Sequence, residues 1–334
     1  MLKEESYNII IIISVRERRI HMSIIKKDAY FVSSTGKDNI HCCVWQDDEK
    51  EPKGIFQIAH GVSEYIERYD EFARFMASNG FIVCGNDHLG HGLSARTLGD
   101  LGFFAEEDGD IRLVDDMHIL SLIMKRKYPE LPLVLFGHSM GSFCARVYAA
   151  QFGNELAALI LCGTGELPAA AVVLEEPLNF LCKKLGTKAN VPGNILDKLG
   201  SLTIRDKRTD SDWLSRNREN VEKYIADPLC GNPLKLGGVR DIVSLANSAC
   251  ATGWAHSVPL GLPIMLISGA KDPVGMNGKG VIACCDNLES AGHEPEVILY
   301  PGDRHEILNE DDREKVYNDV LSWLLKSIPF DGNF

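Results

Sequence analysis

A doubly wound, mostly parallel α/β sheet interrupted by a helical insertion is the fold class that three observations in this sequence predict. Short apolar runs alternate with amphipathic helical patterns over most of the chain, the pattern of strands joined by crossover helices. The alternation stops at Gly163, gives no convincing strand until about Val258, and then resumes. Within the first alternating stretch, the apolar run Leu133 to Phe136, bounded by Pro132, leads into Gly137-His138-Ser139-Met140-Gly141 and then an Ala-rich helix former. That is a strand, a sharp turn carrying a serine, and a helix.

The elements follow in order. Ala29 to Ser34 and Ile40 to Trp45, separated by Thr35-Gly36-Lys37-Asp38-Asn39, predict an antiparallel hairpin at a sheet edge. Gly54 to Ala59 is a strand that runs into His60-Gly61-Val62-Ser63-Glu64. A helical pattern then places Tyr69, Phe72, Phe75 and Met76 on one side and ends at Asn79-Gly80. Phe81 to Cys84 is a buried strand, followed by the loop from Asn86 to Ser94. Asp108 is the expected cap of a long helix with Val114, Met117, Leu120 and Met124 at helical spacing. The elbow strand comes next, then Ala157 to Cys162. In the insertion, Leu174, Leu178, Leu181 and Leu185 form an apolar stripe, and Trp213 to Ile225 and Val239 to Ala251 read as helices. Pro263 to Ser268 and Glu296 to Tyr300 are the last strands, each followed by a helix, Gly278 to Ser290 and Asp311 to Leu325.

Domain boundaries follow from that pattern. Residues 23–162 and 259–334 form the core, and residues 163–258 form a helical cap. Residues 1–22 are expected to be an extension outside the fold, disordered or foreign to the native chain. Its apolar run, Ile9 to Ile13, is far too short to span a bilayer. Arg16-Glu17-Arg18-Arg19 follows that run without a small-residue cleavage site, which disfavours a signal peptide. The domain is expected to begin near Met22.

Composition narrows the function classes. The chain has 334 residues, 45% apolar and 25% charged, enough for a substantial core. Its formal charge of −12 and its lack of a basic stripe argue against a nucleic-acid partner and against tight docking on anionic lipid. No stable membrane insertion is expected. The ten cysteines have no framework spacing, and several, such as Cys84, Cys144 and Cys162, lie in apolar runs. They read as buried thiols in a reducing cytoplasm.

A serine nucleophile needs a base, and the base needs an orienting carboxylate. Sites in parallel sheets form beyond the carboxyl ends of the strands. Asp272 follows the strand Pro263–Ser268, and His305 follows the strand Glu296–Tyr300, so Ser139, Asp272 and His305 are the candidate triad. Asp303 is the alternative acid, but lies close in sequence to His305. Two backbone amides should hold the oxyanion: Met140, after the nucleophile, and Val62, in the loop after an early strand. Gly61 lets that loop approach the site, and His60 reads equally well as a brace or as a functional group. Asp87, His88 and His91 could be read as metal ligands, but no further ligand has suitable spacing.

His60-Gly61-Val62-Ser63-Glu64 with Arg68-Tyr69, Asp87 to Ser94, Gly137 to Gly141, Gly269 to Val274 and His305 to Glu310 together resemble the monoacylglycerol lipase and lysophospholipase branch of the α/β-hydrolases, classified with the serine aminopeptidases. The resemblance runs from about Asp28 to Leu325. It implies an α/β-hydrolase fold and a serine esterase with no metal or organic cofactor. Ser139 would be nucleophile, His305 base and Asp272 acid, with Val62 and Met140 as oxyanion donors. The chain departs from the pattern at Tyr65, where many members carry histidine, and at Ser63, where Gly or Ala is more general.

The expected partner is a small-molecule acyl ester, a monoacylglycerol, a lysophospholipid or similar. Leu174, Leu178 and Leu181 are candidates to line an acyl tunnel, or only to pack on their neighbours. Two other functions stay open. A peptidase taking an N-terminal residue would use insertion carboxylates such as Glu166, Glu175 and Glu176. A non-catalytic ligand-binding homologue would keep the fold without the reaction. Composition says nothing of oligomeric state.

Overall fold

The structure, a computed structural model, describes residues 24–166, 174–194, 198, 200–202, 204–205 and 207–329. The expected N-terminal extension, and the boundary placed near Met22, lie outside them. Eight strands form one sheet: β1 (Ile24–Val32), β2 (Asn39–Asp47), β3 (Gly54–Ala59), β4 (Phe81–Asn86), β5 (Leu133–His138), β6 (Ala158–Cys162), β7 (Ile264–Gly269) and β8 (Glu296–Tyr300). Their order is β1-β2-β4-β3-β5-β6-β7-β8. β1 pairs antiparallel with β2, and β2 antiparallel with β4; every other pair is parallel. This is the architecture of an α/β-hydrolase.

The apolar runs become strands because crossover helices cover both faces of a parallel sheet. Every residue of β3, β4, β5, β6 and β7 is buried. On one face pack α1 (Asp70–Ser78) and α8 (Arg313–Ser327), the latter through Val316, Tyr317, Val320 and Leu324. Phe56, Phe72 and Phe136 meet there with ring centroids 5.4–5.8 Å apart. Each such fully buried side chain contributes about 1.5–3 kcal/mol. On the other face pack α2 (Gly109–Lys127), α3 (Met140–Phe152) and α7 (Lys279–Ser290).

Between β6 and β7 the described residues include the α-helices α4 (Glu175–Leu185), α5 (Arg218–Ala226) and α6 (Leu236–Ala249), a short 3-10 helix (Trp254–Ser257) and an isolated bridge, Asn190 to Lys235. Two local expectations need correction. Asp108 precedes α2 but does not cap it: its backbone is left-handed, φ 55°, and its side chain makes no cap bond. The helix expected over Trp213 to Ile225 begins only at Arg218, because Asn217 Oδ1 accepts from Asn220 N–H at 3.0 Å and sets its start there. Trp213 and Leu214 are turn residues instead. None of the ten cysteines is in a disulfide, and nine are buried.

One buried charge in this region carries a prediction. Asp241 on α6 is 1% exposed; Arg240 Nε donates to its Oδ1 at 2.8 Å, while Oδ2 has no partner. Burial outweighs Arg240 and pushes the carboxyl up to about 7. A pKa raised on folding means stability that is full below the unfolded value, about 3.9, and lost as pH rises through about 7. Asp241→Asn removes that penalty. It should stabilise the protein at pH 8, by an amount that is constant above about pH 7 and shrinks below it at about 1.4 kcal/mol per unit toward pH 5. Denaturant unfolding at the two pH values checks this; a difference independent of pH would contradict it.

Candidate active site

β5 ends at His138 and α3 begins at Met140, so Ser139 alone makes the turn between them. Its backbone, φ 54° and ψ −121°, lies where residues with a Cβ are strained. The turn is tight because backbone crowds it. A Cβ on Gly137 would stand 2.3 Å from Gly141 O, and one on Gly141 would stand 2.1 Å from Ala59 O and 2.6 Å from His60 O. Backbone cannot yield as a side chain can. Gly141→Ala should therefore cost roughly 1–3 kcal/mol or more and depress ester turnover by displacing Ser139, as melting and kinetics would register together. Unchanged turnover would show that the turn tolerates the methyl group.

β7 delivers Asp272 and β8 delivers His305 to the same end of the sheet as Ser139. His305 Nδ1 and Asp272 Oδ2 are 2.9 Å apart, and a carboxylate acceptor there requires the proton on Nδ1. Asp272 is fully buried. Its Oδ2 also accepts from Ser268 Oγ at 3.1 Å, and its Oδ1 from Val274 N–H at 2.9 Å. The alternative acid, Asp303, faces Arg216 instead of His305. The Trp213 ring lies over His305, centroids 5.0 Å apart. Ser139 and His305 line one narrow cavity with Gly61, Val62, Trp213 and Leu214. No hydrogen bond joins Ser139 Oγ to His305 among the described residues; such bonds often tighten only with substrate in place.

Val62 stands in that cavity wall, and Met140 opens α3. Neither amide has a hydrogen-bond partner among the described residues. His60 braces the loop: its Nδ1–H donates to Gly61 O at 2.7 Å, and its Nε2 accepts from His88 N–H at 2.9 Å. Burial and the nearby His91 push its imidazole down to about 3, so it is neutral. The following loop is held by Asp87, whose carboxylate accepts from Ile66 N–H and Leu93 N–H, each at 2.8 Å, and faces His41 Nδ1 at 2.8 Å. Asp87, His88 and His91 do not converge as a ligand set.

Sequence reasoning missed an ionic network at the site, two of whose members, Glu64 and Glu306, line the same cavity as Ser139 and His305. Glu64 Oε1 accepts from Gly61 N–H at 2.6 Å and from Tyr69 Oη at 2.7 Å. Arg68 Nη1 donates to Glu64 at 2.6 Å, and the guanidinium grips Glu306 bidentately at 2.7 and 2.8 Å. Glu306, next to His305, also accepts from Asn220 Nδ2 of α5 at 2.7 Å. Burial opposes ionisation of Glu64, but the hydrogen bond to His138 and the charge of Arg68 hold its carboxyl well below the usual range. Glu306 is lowered for the same reason, Arg68 outweighing burial. Glu64, Arg68 and Glu306 all sit in the quoted motifs, so the signal was present without its spatial meaning. The departure residues also have partners: Tyr65 Oη donates to Asp227 Oδ2 at 2.7 Å, and Ser63 Oγ to Asn232 O at 2.9 Å.

Other candidates are not brought to the site. Leu174, Leu178 and Leu181 do not line the cavity at Ser139. They lie at and along α4, Leu174 and Leu181 exposed, with Cys182 the helix's buried residue. Leu174, Leu181 and Leu185 are exposed, so the stripe is largely uncovered among the described residues, and periodicity says nothing of which surface a face meets. Glu166 pairs with Arg146 Nη2 at 2.6 Å, and Glu175 accepts from Asn247. Neither they nor Glu176 line the cavity, which leaves the peptidase alternative without the carboxylates it called on.

A family model described as serine aminopeptidase, S33, matches residues 50–312. Monoacylglycerol lipase of Mycolicibacterium smegmatis is 30% identical over 286 residues, 85% of this chain and 92% of that one. Monoglyceride lipase of Homo sapiens is 27% identical over 318 residues, covering 92% and 93%. Among solved structures, a highly thermostable carboxyl esterase from Bacillus coagulans in complex with glycerol is 33% identical with a TM-score of 0.85, covering 92% of this chain and all of that one.

Proposed function

The chain belongs to the serine aminopeptidase S33 family of hydrolases, and from that premise we propose that it cleaves carboxylic esters of the monoacylglycerol or lysophospholipid class through an acyl-enzyme on Ser139. One observation carries the reading. Ser139 stands on a strained turn in the same cavity as His305, whose Nδ1 faces the buried Asp272 carboxylate. Names of relatives support the substrate class: monoacylglycerol lipase, monoglyceride lipase, and a phospholipase of Bacillus subtilis.

Each residue has one task. His305 Nε2 takes the Ser139 proton as Oγ attacks the ester carbonyl. Asp272 holds the tautomer that leaves Nε2 free and stabilises the imidazolium that forms. The Val62 and Met140 amides receive the oxyanion, each contributing roughly 3–4 kcal/mol to the barrier reduction. His305 then protonates the leaving alcohol, and water repeats the sequence on the acyl-enzyme. Residues 163–258 act as a cap: Trp213 and Leu214 stand in the cavity wall beside His305. The unpaired buried thiols favour a cytoplasmic location. No helix among the described residues is long and apolar enough to cross a membrane.

Labelling with a fluorophosphonate probe, followed by a panel of glycerol and p-nitrophenyl esters of rising acyl length, tests the reading. Stoichiometric labelling at Ser139 with preference for medium or long acyl chains is expected. Absence of labelling would overturn the serine mechanism. Turnover of acetyl esters alone would overturn the lipid assignment.

A further inference from the structure

We propose that the edge hairpin of the sheet carries a zinc-type cation site, formed by Asp28, His41 and Cys43 and remote in role from the ester chemistry. Register brings the three together. Asp28 on β1 is the direct partner of Cys43 on β2, and Tyr30 is the partner of His41. Residues two apart on a strand share a face, so Asp28, His41 and Cys43 point the same way. Cys42, between them, faces the opposite core.

The donor atoms form a compact triangle. His41 Nε2 is 3.2 Å from Asp28 Oδ1, Cys43 Sγ is 3.3 Å from the same oxygen, and Cys43 Sγ is 3.8 Å from His41 Nε2. Tetrahedral zinc with bonds of about 2.0–2.3 Å sets its ligands about 3.4–3.6 Å apart, so each edge already lies within about 0.3 Å of the value required. Among the described residues no other three His, Cys, Asp or Glu donors converge this closely. Thiolate and imidazole together select zinc over magnesium or calcium.

The surroundings fit a bound ion. His41 Nδ1 faces Asp87 Oδ2 at 2.8 Å, the carboxylate behind the imidazole that orients zinc-bound histidines and leaves Nε2 for the metal. His41 and Cys43 are buried, whereas the Asp28 side chain is 29% exposed at the sheet edge and offers the ion a way in. The competing cation is Lys26, whose Nζ lies 3.4 Å from Asp28 Oδ1 and also pairs with Glu67. On loading, Lys26 keeps Glu67, the Cys43 thiol and the His41 Nε2–H that faces Asp28 each give up a proton to solvent, and water takes the fourth position. Two negative ligands and a neutral imidazole then balance the dication. Asp87 holds Ile66 N–H and Leu93 N–H, so the ion would also stiffen the loops leading toward His60.

The test uses the full chain, reduced and freed of metal, titrated with cobalt(II) as a coloured stand-in and then with zinc. One equivalent of cobalt should give a thiolate-to-metal charge-transfer band that zinc removes, and saturating zinc should raise the melting temperature. Cys43→Ala should lose the band and the thermal shift, and Cys42→Ala should keep both. Asp28→Asn, at a partly exposed edge position that leaves the buried groups in place, removes a direct ligand and should weaken zinc by more than the roughly tenfold that loss of an outer-shell partner costs. No band in the parent, a band surviving Cys43→Ala, or zinc affinity unchanged in Asp28→Asn would overturn the site. If Cys43→Ala does not fold, the Asp28→Asn affinity decides alone.

Discussion

Ser139→Ala should lower kcat by about 10⁶-fold on any ester the protein turns over, with its fold and melting temperature nearly unchanged. The size follows from role. The nucleophile and its base act as a unit, so removing Oγ leaves only binding and the oxyanion amides, which retain a residual acceleration over water. The small stability change follows from geometry. Alanine keeps the Cβ that the backbone at φ 54°, ψ −121° must accommodate, so the strain remains. Glycine does not keep it. Ser139→Gly should be equally inactive but more stable than Ser139→Ala by about 1 kcal/mol, the low end of what such strained residues cost. Thermal melts and single-turnover assays on the two variants separate the effects. If Ser139→Ala kept more than a trace of turnover, the nucleophile would be elsewhere. If the glycine variant were no more stable than the alanine variant, the turn would not be under strain.

What the sequence made legible follows the physics of each element. Strands β3 to β7 could be read because a parallel sheet buries both faces and leaves continuous apolar runs. Glu296–Tyr300 and Gly54–Ala59 were placed to the residue. The candidate site could be read because strand ends in such a sheet all point one way, so order along the chain became position in space. The insertion was not legible in this way. Trp213 looked like a helical residue because it is large and apolar among helix formers, yet it sits in a turn over His305. Leu174, Leu178 and Leu181 recur at helical spacing at and along α4, but nothing in that spacing tells whether the face meets a cavity. The Asp28–His41–Cys43 triangle was also invisible, because cross-strand register brings it together and no motif spans the hairpin.

The charges around Arg68 illustrate the same limit and carry the second large effect. Arg68→Ala should destabilise the protein by about 3–5 kcal/mol, because it leaves the Glu64 and Glu306 carboxylates buried without their counter-charge. The sign of its pH dependence is fixed by the directions of the two shifts. Both carboxyls are held below their ordinary range against burial, Glu64 by its hydrogen bond to His138 and the charge of Arg68 and Glu306 by Arg68, so the ionised network contributes stability above about pH 4.5 that is lost as pH falls through the folded values. Without Arg68, the carboxyls can escape the penalty only by taking up protons. The loss in Arg68→Ala should therefore be largest near pH 8 and smaller near pH 4. Rate should fall as well, since Glu64 holds the Gly61 amide of the loop that carries Val62, and Glu306 adjoins His305. A neutral replacement of the whole network, Glu64→Gln with Arg68→Met and Glu306→Gln, separates the two roles. Removing all three charges together leaves none unpaired, so most of the stability should return. If the network positions the site, kcat should stay depressed in that triple variant while KM changes little. Recovery of both stability and kcat would make the network a structural device alone.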